Sequence, residues 1–390
     1  MEEAVIVGAV RSPIGRAHKG ALVDVRGDEM LAQVLRALLK QVPEFDVAQI
    51  DDVICGTVHQ IGETFGNIAR VASILAGFPE TIPGTTVDRK CGSSLQAIRM
   101  ACHAVRAGEG KAFIAAGVEK VSRPNMENYP PPFGPNGLNP RLDGTDADLP
   151  NLFIPMGQTA ENVANKFDVS RDDQDAFAKL SQDRAVRAQD NGFFDREIVP
   201  IVREDGSVVA VDDSPRRGTT MEGLSKLRPA FVENGSVTAG NSCPLNDGAA
   251  AVLVMSASYA EELGIAPMVR FVGSAVSGLA PEIMGVGPIE AVRKVLKHNR
   301  MTISDVDVVE LNEAFASQVL AVSRELGIDV LNQLNPNGGA IALGHPFGMT
   351  GARIMTTLIN DLRSTDRAIG LETMCCGGGM GIAMLVERLT

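Results

Sequence analysis

The chain has 390 residues, 45% of them hydrophobic and 22% charged, which exceeds one ordinary domain and predicts a soluble globular protein with a large core. Acidic residues outnumber basic ones 48 to 36, for a net charge of −12, and the aromatics are 14 Phe, 2 Tyr and no Trp. That balance excludes a basic phosphate-tracking surface and a base-stacking platform, so nucleic acid is not an expected partner.

Glycine (40) and proline (21) are abundant, which predicts an aliphatic core joined by many tight turns. Six cysteines, at 55, 91, 102, 243, 375 and 376, are too few for a disulfide framework and contain no Cys-x-x-Cys. The first residues run from two glutamates into Ala4-Val5-Ile6-Val7 without a basic region or an apolar signal core. The apolar run 248–260 is interrupted by serines and falls short of the roughly 18 residues that cross a bilayer. A cytoplasmic location without membrane insertion is therefore expected.

In chain order, 5–9 reads as a strand, 28–40 as a helix and 53–56 as a second strand. From Cys91, the positions Leu95, Ile98, Cys102 and Val105 fall at helical spacing, and Gly108 closes that helix. A buried strand follows at 112–116. Such alternation is the mark of an α/β fold. The stretch 124–155 is rich in Pro, Asn, Gly and Asp and reads as a surface excursion that sets chain-length preference. Two helices come next, the second capped by Ser170 with Asp173 three residues on and stopped at Asn191-Gly192. With the polar loop 212–217, this insertion is the expected ligand-facing layer.

The second half repeats the first. At one offset of 256, Ile50-Asp51-Asp52-Val53 meets Val306-Asp307-Val308-Val309, Gly92 meets Gly348, Ile98 meets Ile354 and Lys111-Ala112 meets Arg367-Ala368. Duplication implies two similar halves with a site where they join.

Cys91 follows an extended segment and opens a helix, where unpaired N–H groups and the helix dipole favour a thiolate. The same segment also fits a buried cysteine in a strand-to-helix turn. His345 lies between glycines in Gly344-His345-Pro346-Phe347-Gly348, either as a structural residue or as the base for a thiol nucleophile. At the repeat offset it falls two residues from Cys91, which favours function. Cys375-Cys376-Gly377-Gly378-Gly379 lets backbone N–H groups converge on an oxyanion or a phosphate. The strand expected at 382–387 argues against a nucleotide P-loop. Asn312-Glu313 ends a strand as a helix cap or a water holder.

Together these segments resemble the thiolase family over the whole chain. The matching motifs are Val87-Asp88-Arg89-Lys90-Cys91-Gly92-Ser93-Ser94, Asn312-Glu313-Ala314-Phe315, Gly344-His345-Pro346 and Cys375-Cys376-Gly377-Gly378-Gly379-Met380-Gly381. The insertion matches through Met156-Gly157-Gln158-Thr159-Ala160-Glu161-Asn162, Lys226 to Phe231, and Thr238-Ala239-Gly240-Asn241-Ser242. The resemblance implies two pseudo-symmetric βαβαβαββ halves in a five-layered αβαβα core, plus an inserted loop domain. Residues 1–118 and 246–266 would form the N-terminal half, 119–245 the insertion, and 267–390 the C-terminal half.

It also implies roles. Cys91 would carry the acyl group as a thioester, His345 would take its proton, and Cys375 would be the second acid/base. Asn312 would hold a water that forms one oxyanion hole with His345, and the N–H groups of Cys91 and Gly377 would form the other. Claisen chemistry needs this division and no metal. Coenzyme A would be a co-substrate, with no tightly bound cofactor. Arg216 would stack on its adenine, and Arg217 and Arg228 would meet phosphates. Phe231, Ala239, Cys243 and Leu245 would line the pantetheine path, with Met156 and Phe315 bordering it. Cys243 stands where many relatives have Ser, so packing remains an equal reading there.

The expected reaction is thiolytic cleavage of a 3-ketoacyl-CoA, with acetoacetyl-CoA thiolase as the runner-up and a homodimer or homotetramer as the assembly. Pro155 favours the degradative reading, because short-chain biosynthetic members often have His there. Two other classes share the fold: a decarboxylating ketoacyl-carrier-protein synthase, against which Cys375 counts, and a non-catalytic acyl-CoA or lipid-binding protein.

Overall fold

The computed structural model describes residues 2–124 and 137–389, so 125–136, part of the excursion read as a chain-length determinant, lies outside the described residues. The first half runs β1 (Ala4–Arg11), β2 (Gly15–Arg16), α1 (Gly27–Lys40), β3 (Asp52–Gly56), α2 (Ile68–Leu75), β4 (Gly84–Val87), α3 (Ser93–Ala107) and β5 (Ala112–Glu119). Next come α4 (Met156–Lys166), α5 (Arg171–Asp190), β6 (Ile201–Val202), β7 (Val208–Val209) and α6 (Met221–Ser225). The chain then returns through β8 (Asn246–Ser256) and α7 (Ala257–Glu262). The second half holds β9 (Val269–Gly278), α8 (Gly287–His298), β10 (Val308–Leu311), α9 (Ala316–Leu326), α10 (Ala340–Leu343), α11 (Thr350–Ser364), β11 (Ile369–Cys376) and β12 (Met380–Arg388).

The strands join in the order β10-β11-β12-β9-β1-β8-β5-β3-β4. The two half-sheets meet where β1 pairs with β9, at Val5↔Arg270 and Ile6↔Val269. Alternation along each strand sends side chains to different cores. On β8, Ala250, Val252 and Val254 face a central core shared by α3 and α11. Ala249, Ala251, Leu253 and Met255 face an outer core under α1 and α2. On β12, Ala383 and Leu385 face a third core under α8 and α9. Three cores between helices and sheets make the five layers expected, with α3 and α11 in the middle.

The repeat is real but its single offset is corrected. Asp51 accepts from the Lys111 and Ala112 N–H groups, and Asp307 accepts from those of Ala368 and Ile369. The aspartates are 256 apart and their partners 257. Likewise α3 and α11 begin at Ser93 and Thr350, 257 apart. One residue is added between strand and helix, so Gly92 matches Met349 and Ile98 matches Met355. The third strand of the second half shrinks to one bridge, Val309↔Leu334. The turn before α11 and the start of α3 come together at β5, where a Cβ on Gly117 would lie 2.1 Å from Gly348 O and 2.6 Å from Ser94 Cβ.

Candidate active site

Cys91 sits in a tight turn between β4 and α3. Lys90 before it has φ +50°, a left-handed conformation that costs a non-glycine residue on the order of 1–3 kcal/mol. Local bonds hold it there: Asp88 Oδ1 accepts from Lys90 N at 2.6 Å, and Ser93 Oγ accepts from Arg89 N at 3.0 Å while donating to Lys90 O at 2.6 Å. Gly92 is the N-cap of α3. A Cβ on it would lie 2.7 Å from Cys376 Sγ and 2.9 Å from Ile382 Cγ2, so a substituent would push the turn off the sheet.

The thiol of Cys91 is half-buried and, contrary to expectation, is not favoured as a thiolate. Burial pushes it up to about 11, against the pull of hydrogen bonds from the Gly377 N–H and from its own N–H. Desolvation of the sulfur outweighs the helix end.

His345 is buried, and burial first, with the Arg353 cation second, lowers its pKa to about 3. Its Nδ1 lies 2.7 Å from Thr350 Oγ1. That hydroxyl donates its own proton to Pro346 O at 2.8 Å, so it must accept from Nδ1–H. The lone pair therefore stands on Nε2, where Asn312 Nδ2 donates at 3.3 Å. This is a neutral base with a fixed tautomer. No hydrogen bond joins it to Cys91 among the described residues; Asn312 occupies its Nε2 instead. Asn312 Oδ1 is buried without a partner, as an acceptor awaiting a donor would be.

The vicinal cysteines end β11 and point to opposite sides. Cys375 joins a small cluster with Ala160, Val237, Met284, Ala314 and Phe315. Cys376 belongs to the central core and fills the space against Gly92. Both are free thiols. Burial raises the Cys375 thiol well above its ordinary value, with Cys91, Cys376 and Cys243 as further causes. Four of the chain's cysteines thus gather around one point. The turn beyond them carries Gly378 and Gly379 at φ +83° and +81°, and it is this bend that presents Gly377 N–H to Cys91.

The expected CoA-facing residues spread over the adjoining surface. Phe231, 49% exposed, packs edge-on against Phe315 with ring centroids 6.0 Å apart. Met156 Sδ borders Gly377, at 3.6 Å from where its Cβ would be. Leu245 and Ala239 are exposed, Cys243 is half-buried, and Cys243 N donates to Ala314 O at 3.0 Å. Arg216 lines a cleft of about 230 Å³ with Gln182, Thr220, Leu227 and Gly240. Arg228 is exposed. Arg217 is engaged by Asp190 through two bonds of 2.9 and 2.5 Å, so its charge is already met by a carboxylate.

Two family models match the chain: the thiolase N-terminal domain over residues 4–258 and the thiolase C-terminal domain over 265–388. The chain belongs to the thiolase family. It is 44% identical to a beta-ketoadipyl-CoA thiolase of Acinetobacter baylyi, covering 100% of both chains. Identity is also 44% to the 3-oxoadipyl-CoA/3-oxo-5,6-dehydrosuberyl-CoA thiolase of Escherichia coli, again over 100% of each. The crystal structure of the Bacillus anthracis acetyl-CoA acetyltransferase is similar with TM-score 0.90 and 38% identity, covering 100% of this chain and 99% of that one. As a thiolase it is an acyltransferase.

Thr350 was invisible to motif reading, although a hydroxyl five residues after the histidine is a sequence signal for a tautomer-fixing partner. The protonation states of this thiolase site have a consequence. With the thiol near 11 and His345 near 3, the free enzyme holds a neutral pair and not a thiolate–imidazolium pair. Alkylation of Cys91 by iodoacetamide should therefore keep rising with pH from 6 to 9.5, and His345 should remain neutral throughout that range. A rate that levels off between pH 5 and 7, read by peptide mass spectrometry, would contradict this.

Proposed function

We propose that the chain cleaves 3-ketoacyl-CoA with coenzyme A through an acyl thioester on Cys91. The observation that supports this most is one site holding a thiol under a backbone N–H, a second thiol beside it, and a histidine whose Nε2 lone pair is fixed. Cys91 Sγ gives its proton to His345 Nε2 and attacks the 3-keto carbon. The resulting oxyanion is met by N–H donors, which no longer need to reorganise. The C2–C3 bond then breaks, and Cys375 gives its proton to the departing carbon, releasing acetyl-CoA. Cys375, now a thiolate, takes the proton from incoming CoA, whose sulfur attacks the thioester. Cys91 leaves and recovers its proton from His345. Once protonated, His345 Nε2 is a donor beside Asn312, which suits it to the second oxyanion position. The surface formed by Arg216, Phe231, Ala239, Cys243 and Leu245 in the insertion would take the CoA chain, with Arg228 as the phosphate partner and Arg217 secondary to it.

Relatives named for 3-oxoadipyl-CoA favour a six-carbon ketoacyl substrate with a terminal carboxylate over acetoacetyl-CoA. Thiolysis rates on acetoacetyl-CoA, 3-ketohexanoyl-CoA and 3-oxoadipyl-CoA test this. A higher kcat/KM on either six-carbon substrate is expected. Cleavage of acetoacetyl-CoA alone would overturn the degradative reading.

A further inference from the structure

His345 is not carried by a helix or strand. It lies in the turn Gly344 to Gly348, between α10 and α11, and its ring must still be placed to a fraction of an ångström. The turn is bracketed by two buried polar side chains that no motif reading selected for this task. At its start, His345 N donates to Asn246 Oδ1 at 3.0 Å. Asn246 is itself fixed, donating through Nδ2 to Gly15 O at 3.1 Å and to Ser214 Oγ at 3.0 Å. At its end, Gly348 N donates to Glu119 Oε2 at 2.8 Å.

Glu119 has 0% of its surface exposed and accepts from three further donors. These are Val58 N at 3.1 Å, His59 N at 3.0 Å and His59 Nδ1 at 2.8 Å. One carboxylate thus ties the loop after β3, in the first half, to the His345 turn, in the second. The two anchors share one scaffold: Glu119 ends β5, Asn246 begins β8, and Glu119 is paired with Gly248 in the antiparallel register of these strands.

The fit leaves no slack. A Cβ on Gly348 would lie 2.5 Å from Val118 O and 2.6 Å from Thr57 Cα, and one on Gly344 would lie 2.5 Å from Asn246 Cγ. Backbone contact alone resists inward movement of the turn. Thr350 Oγ1 holds the turn from within, through Pro346 O, while Asn246 and Glu119 tie its backbone N–H groups to the first half and resist its sliding or lifting away.

We propose that Glu119 and Asn246 are positioning residues that clamp the His345 turn at both ends and so set the imidazole against the nucleophile. The proposal rests on the role given to His345 above. Both side chains are fully buried, at 0% exposed, so the clamp is expected to act on the chemical step and to leave CoA binding alone. Misplacing a catalytic group by about 1 Å costs on the order of 10²-fold in rate.

The test is thiolysis of acetoacetyl-CoA by Glu119→Ala and Asn246→Ala, with His345→Asn measured alongside. Gly348 N and Val58 N share Oε2 while His59 uses Oε1, so a glutamine can keep both loops through its one carbonyl oxygen; Glu119→Ala removes both acceptors and releases the turn from the loop after β3. Each clamp variant should lose about 10²-fold in kcat while KM for CoA stays within about twofold. Full kcat in both clamp variants with an inactive His345→Asn would overturn the clamp and leave the mechanism standing. A wild-type rate in His345→Asn would instead remove the base itself, and the clamp with it. If a clamp variant does not fold, hydrogen exchange on the wild-type protein decides. The amides of His345 and Gly348 should be protected as slowly exchanging strand amides are, and exchange as fast as that of exposed loops would contradict the clamp.

Discussion

Replacing Cys91 with alanine should lower thiolysis of acetoacetyl-CoA by about 10⁴-fold or more, since no other group in the site takes over covalent transfer. The side chain is half-buried and the substitution is smaller, so the turn held by Asp88 and Ser93 should survive. Binding of acetoacetyl-CoA, measured by calorimetry, is expected to stay within a few-fold of wild type. A loss of rate below tenfold would remove Cys91 as the nucleophile. The neighbouring thiols make this a demanding test, because Cys375, Cys376 and Cys243 all stand close enough to Cys91 to perturb one another's ionisation.

Cys375→Ala should separate the two half-reactions. Acylation by acetyl-CoA releases a CoA thiolate, and a thiol with pKa near 8.5 leaves without much help. Carbon–carbon bond making or breaking has no such leaving group and needs a positioned acid/base, worth about 10²–10⁴-fold. Stopped acylation of Cys91 should therefore proceed while acetoacetyl-CoA cleavage falls by that factor. Burial already holds the Cys375 thiol in its neutral form, the form needed to protonate the departing carbon. Equal losses in both half-reactions would mean that Cys375 shapes the site and does not transfer the proton.

Much of this site is legible in the sequence because each chemical group sits in a local signal. Cys91 opens a helix after a strand, Asn312 ends a strand, His345 lies among glycines, and Cys375 precedes a glycine run. What local signals omit is environment. The helix-end argument for a Cys91 thiolate fails because it leaves out burial, which outweighs even the favourable Gly377 N–H. The same limit hides Glu119, whose partner Gly348 is 229 residues away. One trace of it is present: a charged residue closing the otherwise apolar strand 112–118 is a buried carboxylate in search of donors.

The repeat shows a different limit. A single ungapped offset matches the strands and their acidic partners, but an added residue between strand and helix shifts α11 by one without disturbing any ladder. Identity at one offset cannot register such a slip, whereas the hydrogen bonds of Asp51 and Asp307 do so directly. Cys376 is also explained only in three dimensions. It takes no step in the proposed mechanism, and its sulfur fills the space that Gly92 leaves open.

The central claim is that the acyl group rests on one particular sulfur among four that cluster in the site. Incubating the wild-type protein with acetyl-CoA, quenching in acid and mapping the peptides by mass spectrometry reads this directly. Acetylation should fall on the peptide containing Cys91, and disappear when CoA is added to accept it back. An acetyl group found on Cys243, Cys375 or Cys376, or none while acetoacetyl-CoA is being turned over, would contradict the account.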